Sequence, residues 1–248
     1  MDRLIYTSMT GANHTLHQQA TVAHNLANVS TNGYRAEKNA FRAVPVFGDG
    51  SPTRAFVVDS TTSADFTPGP VQTTGRDLDV AIRGSGWITV QLDNGKEAYT
   101  RNGNLQVSPN GILLTQNGFK VKNSDGGTIS VPPETRITIG VDGTVSSVPI
   151  FPQPNTVAPV ARIKLVDPPE DQLVKGTDGL FRLKDESDAP VDARVRLADG
   201  TLEDSNVNVV HEMVSMIALA RQFDMQMKML ESAQNNARQA SEIMALRA

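Results

Sequence analysis

With 248 residues, 39% hydrophobic and 20% charged, the chain suits one large domain or two small ones and is too apolar for a generic disordered polymer. No apolar run reaches the ~18–20 residues of a membrane-spanning helix, and a net charge of −4 gives no electrostatic reason to expect nucleic acid. Zero cysteine excludes disulfides and thiolate metal sites, and twelve aromatics are too sparse a set for stacking sugars or bases.

The opening Met1-Asp2-Arg3-Leu4-Ile5-Tyr6 has no basic patch followed by an apolar stretch, so no cleaved secretory signal is expected. Residues 4–28 read as a helix, with Ile5, Met9, Ala12, Leu16, Ala23 and Leu26 at spacings of three and four and Gln19 as the polar interruption. From Leu4 to Tyr34 there is no Asp, Glu, Lys or Arg. A helix face left in water normally carries ions. An uncharged polar face therefore fits contact with protein on both sides, either another chain or the rest of this one.

Residues 37–76 read as an extended connector with at most short strands, because Pro and Gly cluster between Pro45 and Pro52 and again at Pro68-Gly69-Pro70. Antiparallel β-structure follows over 77–205. Asn-Gly or Asp-Gly pairs at 94–95, 102–103, 110–111, 117–118, 125–126 and 142–143 offer the positive φ of tight hairpins. Between them lie alternating runs: Leu78/Val80/Ile82, Ile88/Val90/Leu92, Leu105/Val107, Phe119/Val121 and Ile137/Ile139/Val141. After a proline-rich stretch, Pro149 to Pro159, further strands are expected at Ala161–Val166, Leu180–Leu183 and Arg194–Leu197, with Arg162, Lys164, Arg194 and Arg196 facing water. The stretch 41–206 holds all the excess acid of the protein, whereas the two ends are close to neutral.

Asn208 is placed to cap a second helix running to Leu246, with Glu212 in its first turn where the dipole favours an anion. Met213, Met216, Ala220, Phe223, Met227, Leu230, Ala237 and Met244 keep heptad spacing, broken by Gln234 and Ser241. At ~1.5 Å per residue such a helix spans roughly 55–60 Å, too long for one compact domain to cover. The expected fold is α+β: terminal helices packed together in a coiled-coil-like pair, carrying a large inserted antiparallel β domain. The divisions are 1–36 plus 206–248, a connector over 37–76, and the β domain over 77–205.

Chemistry is thinly represented. There is no nucleophile elbow, P-loop, zincin or dinucleotide fingerprint. Gly84-Ser85-Gly86 is a tight turn, and Asp77 with Asp79 is the solvated face of a strand without the aromatic platforms a glycosidase would need. Asn123-Ser124-Asp125-Gly126-Gly127 has oxygen ligands but no second cluster to complete a calcium site. His14 and His17 make half a zinc site at most; with His24 they read as neutral interfacial groups whose protonation below ~pH 6 weakens assembly. No catalytic, metal or cofactor site is expected.

Three segments resemble one family. His24-Asn25-Leu26-Ala27-Asn28-Val29-Ser30-Thr31-Asn32-Gly33-Tyr34-Arg35 is similar to the N-terminal signature of flagellar rod and hook proteins, with Asn25, Leu26, Ala27, Asn28, Gly33 and Tyr34 on its motif positions. Asp77 to Ile82, Gly86-Trp87 and Ala98 to Gly103 resemble that family's centre, and Glu212 to Ile217 with Arg221 to Asp224 its C-terminal motif. The opening and the Arg42–Val46 run are most similar to the proximal rod branch, with distal rod or hook-type subunits as the rival. The resemblance implies an axial structural subunit of the basal-body rod, in the periplasm, that transmits torque from motor to hook. It also implies passage through the flagellar export apparatus without a cleaved signal, and homo- and hetero-oligomeric contacts with other rod subunits, without membrane insertion or cofactor. Ile5, Met9, Leu16, Leu26, Met213, Met216, Phe223, Met227 and Leu230 would form the assembly surface, with Asn25 and Asn28 setting register. The helices would be largely disordered until neighbours bury them. An enzyme on a β-scaffold and an adhesin on a helical stalk are the competing classes; a solvated stalk would not have the uncharged N-terminal segment.

Overall fold

A computed structural model describes residues 2–45, 55–149 and 157–245. Over these the chain is α+β, a helix at each end and antiparallel strands between. It divides into two units: Met1–Ala27, Glu37–Asp65 and Val207–Ala248 in the first, Asn28–Ala36 and Phe66–Asn206 in the second. The backbone therefore passes between units four times, at 27/28, 36/37, 65/66 and 206/207.

The first unit holds α1 (Asp2–Ala27), the hairpin β1 (Glu37–Pro45) and β2 (Ala55–Ala64), and α2 (Val209–Ala245). In α1 the hydroxyls of Thr10, Thr15 and Thr21 donate to carbonyls four residues back, at 2.8, 2.9 and 3.3 Å. That satisfies an uncharged polar face without ions. Asn208 caps α2, its Oδ1 accepting the His211 N–H at 3.1 Å. The stretch expected as a connector is largely the β1–β2 hairpin, paired from Glu37↔Ala64 to Pro45↔Ala55 with a bulge after Ala40. Of the two Pro and Gly clusters, Pro68-Gly69-Pro70 follows β2, while the first starts at the last residue of β1 and, with Val46, lies mostly outside the described residues. So does most of the Pro149 to Pro159 stretch.

The second unit contains β3 (Val71–Thr73), β4 (Val80–Arg83), β5 (Trp87–Gln91), β6 (Glu97–Thr100), β7 (Leu105–Val107), β8 (Leu113–Thr115), β9 (Lys120–Val121) and β10 (Thr135–Ile139). It continues with β11 (Thr144–Pro149), β12 (Ala158–Arg162), β13 (Leu165–Val166), β14 (Leu173–Lys175), β15 (Phe181–Leu183), β16 (Arg196–Asp199) and β17 (Thr201–Glu203). One sheet runs β14-β15-β6-β5-β9-β8-β7 with β13 also on β5; another is β10-β11-β12. The last two strands return to the first two, Leu197 opposite Ile82 and Glu203 opposite Val71. The unit is thus closed by its sequence extremes. Its core is aliphatic, with Val80, Ile88, Leu105, Leu113, Ile129, Val145, Ile163 and Leu197 buried together.

Five of the six predicted Gly turns have the left-handed backbone: Gly95, Gly111, Gly118, Gly126 and Gly143. Gly103 does not, and glycine is required there for a different reason. A Cβ would lie 1.6 Å from the Val80 carbonyl oxygen, while the Gly103 carbonyl accepts the Val80 N–H at 3.0 Å. Gly103→Ala is expected to cost about 3 kcal/mol of stability in chemical denaturation, because backbone must move on both sides.

Two surface assignments fail for one reason, the pairing of buried charge. Lys164 is buried, with its Nζ 2.8 Å from Glu97 Oε1, and Lys122 Nζ meets the same oxygen at 3.0 Å. Asp79 is buried too, accepting from the Thr74 hydroxyl at 2.8 Å and pairing with Arg76 at 3.3 Å. Period-two alternation assigns a face to a residue but does not reveal its partner, which for Lys164 is Glu97 on β6 and for Asp79 is the stretch just before it. Tyr99, also buried, receives the Ala189 N–H on its hydroxyl at 2.8 Å. Burial pushes its pKa up to about 12. A folded-state pKa raised above the unfolded value means stability is complete below ~pH 10 and falls above it. Ultraviolet titration should show Tyr99 ionising near pH 12.

Candidate assembly interface

The two helices of the first unit pack against each other. Asn25 meets Glu212 and Gly11 meets Gln226, so they run antiparallel. The face that α1 turns inward is small and polar: Ser8, Ala12, Thr15 and Asn25 are its buried residues. At Gly11 a Cβ would stand 3.0 Å from Gln226 Nε2, so the glycine lets that amide lie close over the backbone. Asn25 is the tie. Its Oδ1 accepts the Glu37 N–H at 2.8 Å and its Nδ2 donates to the Glu37 carbonyl at 2.9 Å, as a neighbouring strand would, while Glu212 Oε1 lies 3.4 Å away.

Of the expected apolar stripe on α1, Met9 and Leu16 are about half exposed, as is their neighbour Tyr6, whereas Ile5 and Leu26 are half-buried. On α2, Met213 and Met227 are exposed together with Val214 and Ile217, and Met216, Phe223 and Leu230 are half-buried. The two stripes therefore do not cover each other fully. Phe223 and Leu230 are partly covered, but much of the apolar surface of both helices faces outward in the single chain. Met244 has no described side chain. Asn28 is not on the seam: it begins the turn after α1, where its Oδ1 takes the Thr31 hydroxyl at 3.2 Å and its carbonyl the Thr31 N–H at 3.1 Å.

That turn leads into an anchor in the second unit. Gly33 is left-handed at φ +68°, and a Cβ would come within 2.3 Å of the Arg101 carbonyl carbon. Its N–H donates to the Glu203 carbonyl at 2.7 Å. Tyr34 is buried under Lys175, whose Nζ sits 3.8 Å from the ring centroid and donates to the Arg35 carbonyl at 2.9 Å. Arg35 is only 1% exposed. Its Nη2 meets Glu203 Oε1 at 2.7 Å, and Arg101 Nη1 meets Oε2 of the same carboxylate at 3.1 Å. Burial draws the Arg101 guanidinium below the usual arginine range, with Glu203 opposing that shift and Arg35 adding to it. Asn206 completes the anchor, accepting the Ala36 N–H at 2.7 Å and donating to the Thr67 carbonyl at 3.0 Å. Residues 28–36, expected with the helices, therefore belong to the β-rich unit.

The motifs pointed to Gly33, Tyr34 and the Ala98 to Gly103 run that contains Arg101, but Lys175, Glu203 and Asn206 carry no local signal. Each is an ordinary polar residue made structural by a partner far away in sequence. Elsewhere, Asp77 and Arg136 rim a cleft of about 610 Å³, which also includes Leu78, Val131 and Ile137. The hydrogen bond from Arg136, 2.6 Å to Oδ2, holds Asp77 below the usual carboxylate range. That is the wrong direction for a general acid. His14 stands edge-on to Phe41 and His24 lies 3.2 Å from Glu37. Among the described residues, no three His, Asp or Glu side chains are grouped to hold a metal ion, and no helix is long and apolar enough to cross a membrane.

Three family descriptions match along the chain: "Flagella basal body rod protein" over residues 5–35, "Flagellar hook protein FlgE/F/G D1 domain" over 81–147, and "Flagellar basal body rod FlgEFG protein C-terminal" over 198–243. The flagellar basal-body rod protein FlgF of Escherichia coli is 48% identical over 252 residues, covering 99% of this chain and 100% of its own. FlgF of Caulobacter vibrioides is 34% identical, covering 98% of each chain. The rod protein FlgG of Buchnera aphidicola subsp. Schizaphis graminum is 28% identical, with 96% of this chain and 98% of its own covered.

Proposed function

The chain belongs to the flagellar basal-body rod protein family, and from that membership we propose that its outward apolar helix faces are the surfaces by which it joins neighbouring rod subunits. It is a structural protein of the flagellum basal body and not an enzyme. The proximal rod is its proposed place, supported by closer identity to FlgF than to FlgG. Its role there is to pass torque from motor to hook, after passage through the flagellar export apparatus.

One observation carries the proposal: α1 has no Asp, Glu, Lys or Arg from Leu4 to its end at Ala27, yet it turns small residues inward and Tyr6, Met9 and Leu16 outward. Covering the half of Leu16 or Met213 that stays exposed contributes about 1 kcal/mol each. Coiled-coil-like pairing of α1 with α2 belongs to the same reading. The contacts Asn25/Glu212 and Gly11/Gln226 are fourteen residues apart on each helix, two heptads. A straight helix pair would drift roughly 40° over that length, so supercoiling favours the recurrence. A photo-crosslinking residue placed at Leu16 or at Met213 should capture other rod subunits in isolated basal bodies. Basal bodies that contain the chain but give no such crosslink from either position would refute the assignment.

A further inference from the structure

Without cysteine, all sulfur in the chain is thioether, in eight methionines, six of them between Met213 and Met244. Four of those stand open on α2: Met213 is 51% exposed, Met225 62%, Met227 46% and Met229 50%. Met225 and Met229 are four apart and share one helix face. Met216 is half-buried. The contacts that tie α2 to α1, Glu212 with Asn25 and Gln226 against Gly11, use no sulfur. The oxidisable groups are thus concentrated on the surface proposed to meet neighbours and are absent from those ties.

We propose that Met213, Met225, Met227 and Met229 are a reversible oxidation site through which a two-electron oxidant, a peroxide or a hypohalous acid, keeps the free subunit out of the rod. The inference rests on the assembly reading above. With hydrogen peroxide, the Sδ lone pair attacks one oxygen and the O–O bond breaks, its electron pair leaving with the departing hydroxide. The proton on the transferred oxygen passes to that hydroxide, so the products are a sulfoxide and water. Sulfur loses two electrons and the peroxide gains them. The sulfoxide is polar and strongly hydrogen-bond accepting, so each oxidised side chain resists burial against an apolar neighbour. Leucine or isoleucine would supply the same apolar surface without this sensitivity.

The test uses the full-length chain, hydrogen peroxide, and the immobilised distal rod subunit of the same organism. Peptide mapping should show the four methionines oxidised at least ~5-fold faster than Met216, in line with their exposure. Binding should weaken by at least ~10-fold while circular dichroism keeps the helix signal, and methionine sulfoxide reductases should restore it. In a chain carrying Met→Leu at all four positions and at Met9, which is equally exposed on α1, peroxide should change binding by less than ~2-fold from that chain's own untreated level. Full oxidation of the four with unchanged binding overturns the proposal and leaves the assembly reading standing. Loss of the helix signal on oxidation also overturns it, because the effect would then be unfolding. An untreated chain that fails to bind removes the assembly reading itself.

Discussion

Glu203→Ala is expected to destabilise the β-rich unit by about 3–5 kcal/mol, the largest single effect available in that unit. The carboxylate lies between Arg35 and Arg101 and also accepts the Gly69 N–H at 3.1 Å. Removing it leaves two like charges facing each other out of water, without the carboxylate that pairs them. Glu203→Gln keeps the shape but not the charge, so it should fall between wild type and alanine. Chemical denaturation followed by Trp87 fluorescence reports it directly, since Trp87 is the sole tryptophan and Arg101 lies 5.3 Å from its ring. Glu186→Ala is the control. Its partner Lys96 is exposed, and a surface pair of this kind contributes no more than ~0.5–1 kcal/mol. Equal losses in the two variants would show that burial of the Glu203 cluster does not matter.

Leu16→Asp and Met213→Asp are expected to abolish swimming while leaving the β-rich unit folded. Both side chains are about half exposed, so a carboxylate in either place is hydrated in the free subunit and costs it little. Once a neighbour covers the site, the same carboxylate must lose its water without a cation to receive it. That penalty is several kcal/mol, or at least ~10²-fold in association. Motility plates, with the denaturation midpoint of each purified variant, separate the two effects. Normal swimming by both variants would contradict the assembly role. Loss of swimming together with loss of fold would assign the effect to stability instead.

The sequence was a good guide wherever information is local. Helix periodicity, the Asn208 cap and five of six glycine turns are set by residues a few positions apart, and the structure has them. It was a poor guide to pairing across the chain. Lys164 alternates with its neighbours as a surface residue does, and only the approach of Glu97 on another strand explains its burial. The helix stripes misled differently. Spacing identified which residues of α1 and α2 are apolar, but not that Ser8, Ala12 and Thr15 would take the inward face. Close helix approach favours small side chains at the seam, and hydropathy does not register that preference. The Gly33 motif was legible as a motif; its cause, a backbone approach to Arg101, was not.

The fourfold passage of the backbone between the two units has a mechanical corollary. Most two-part proteins hang on a single tether, so one cut frees the parts. Here a protease that severs any one of the connections at 27/28, 36/37, 65/66 or 206/207 leaves three unbroken polypeptide bridges. The helical unit and the β-rich unit are thus joined by four covalent connections and not by one.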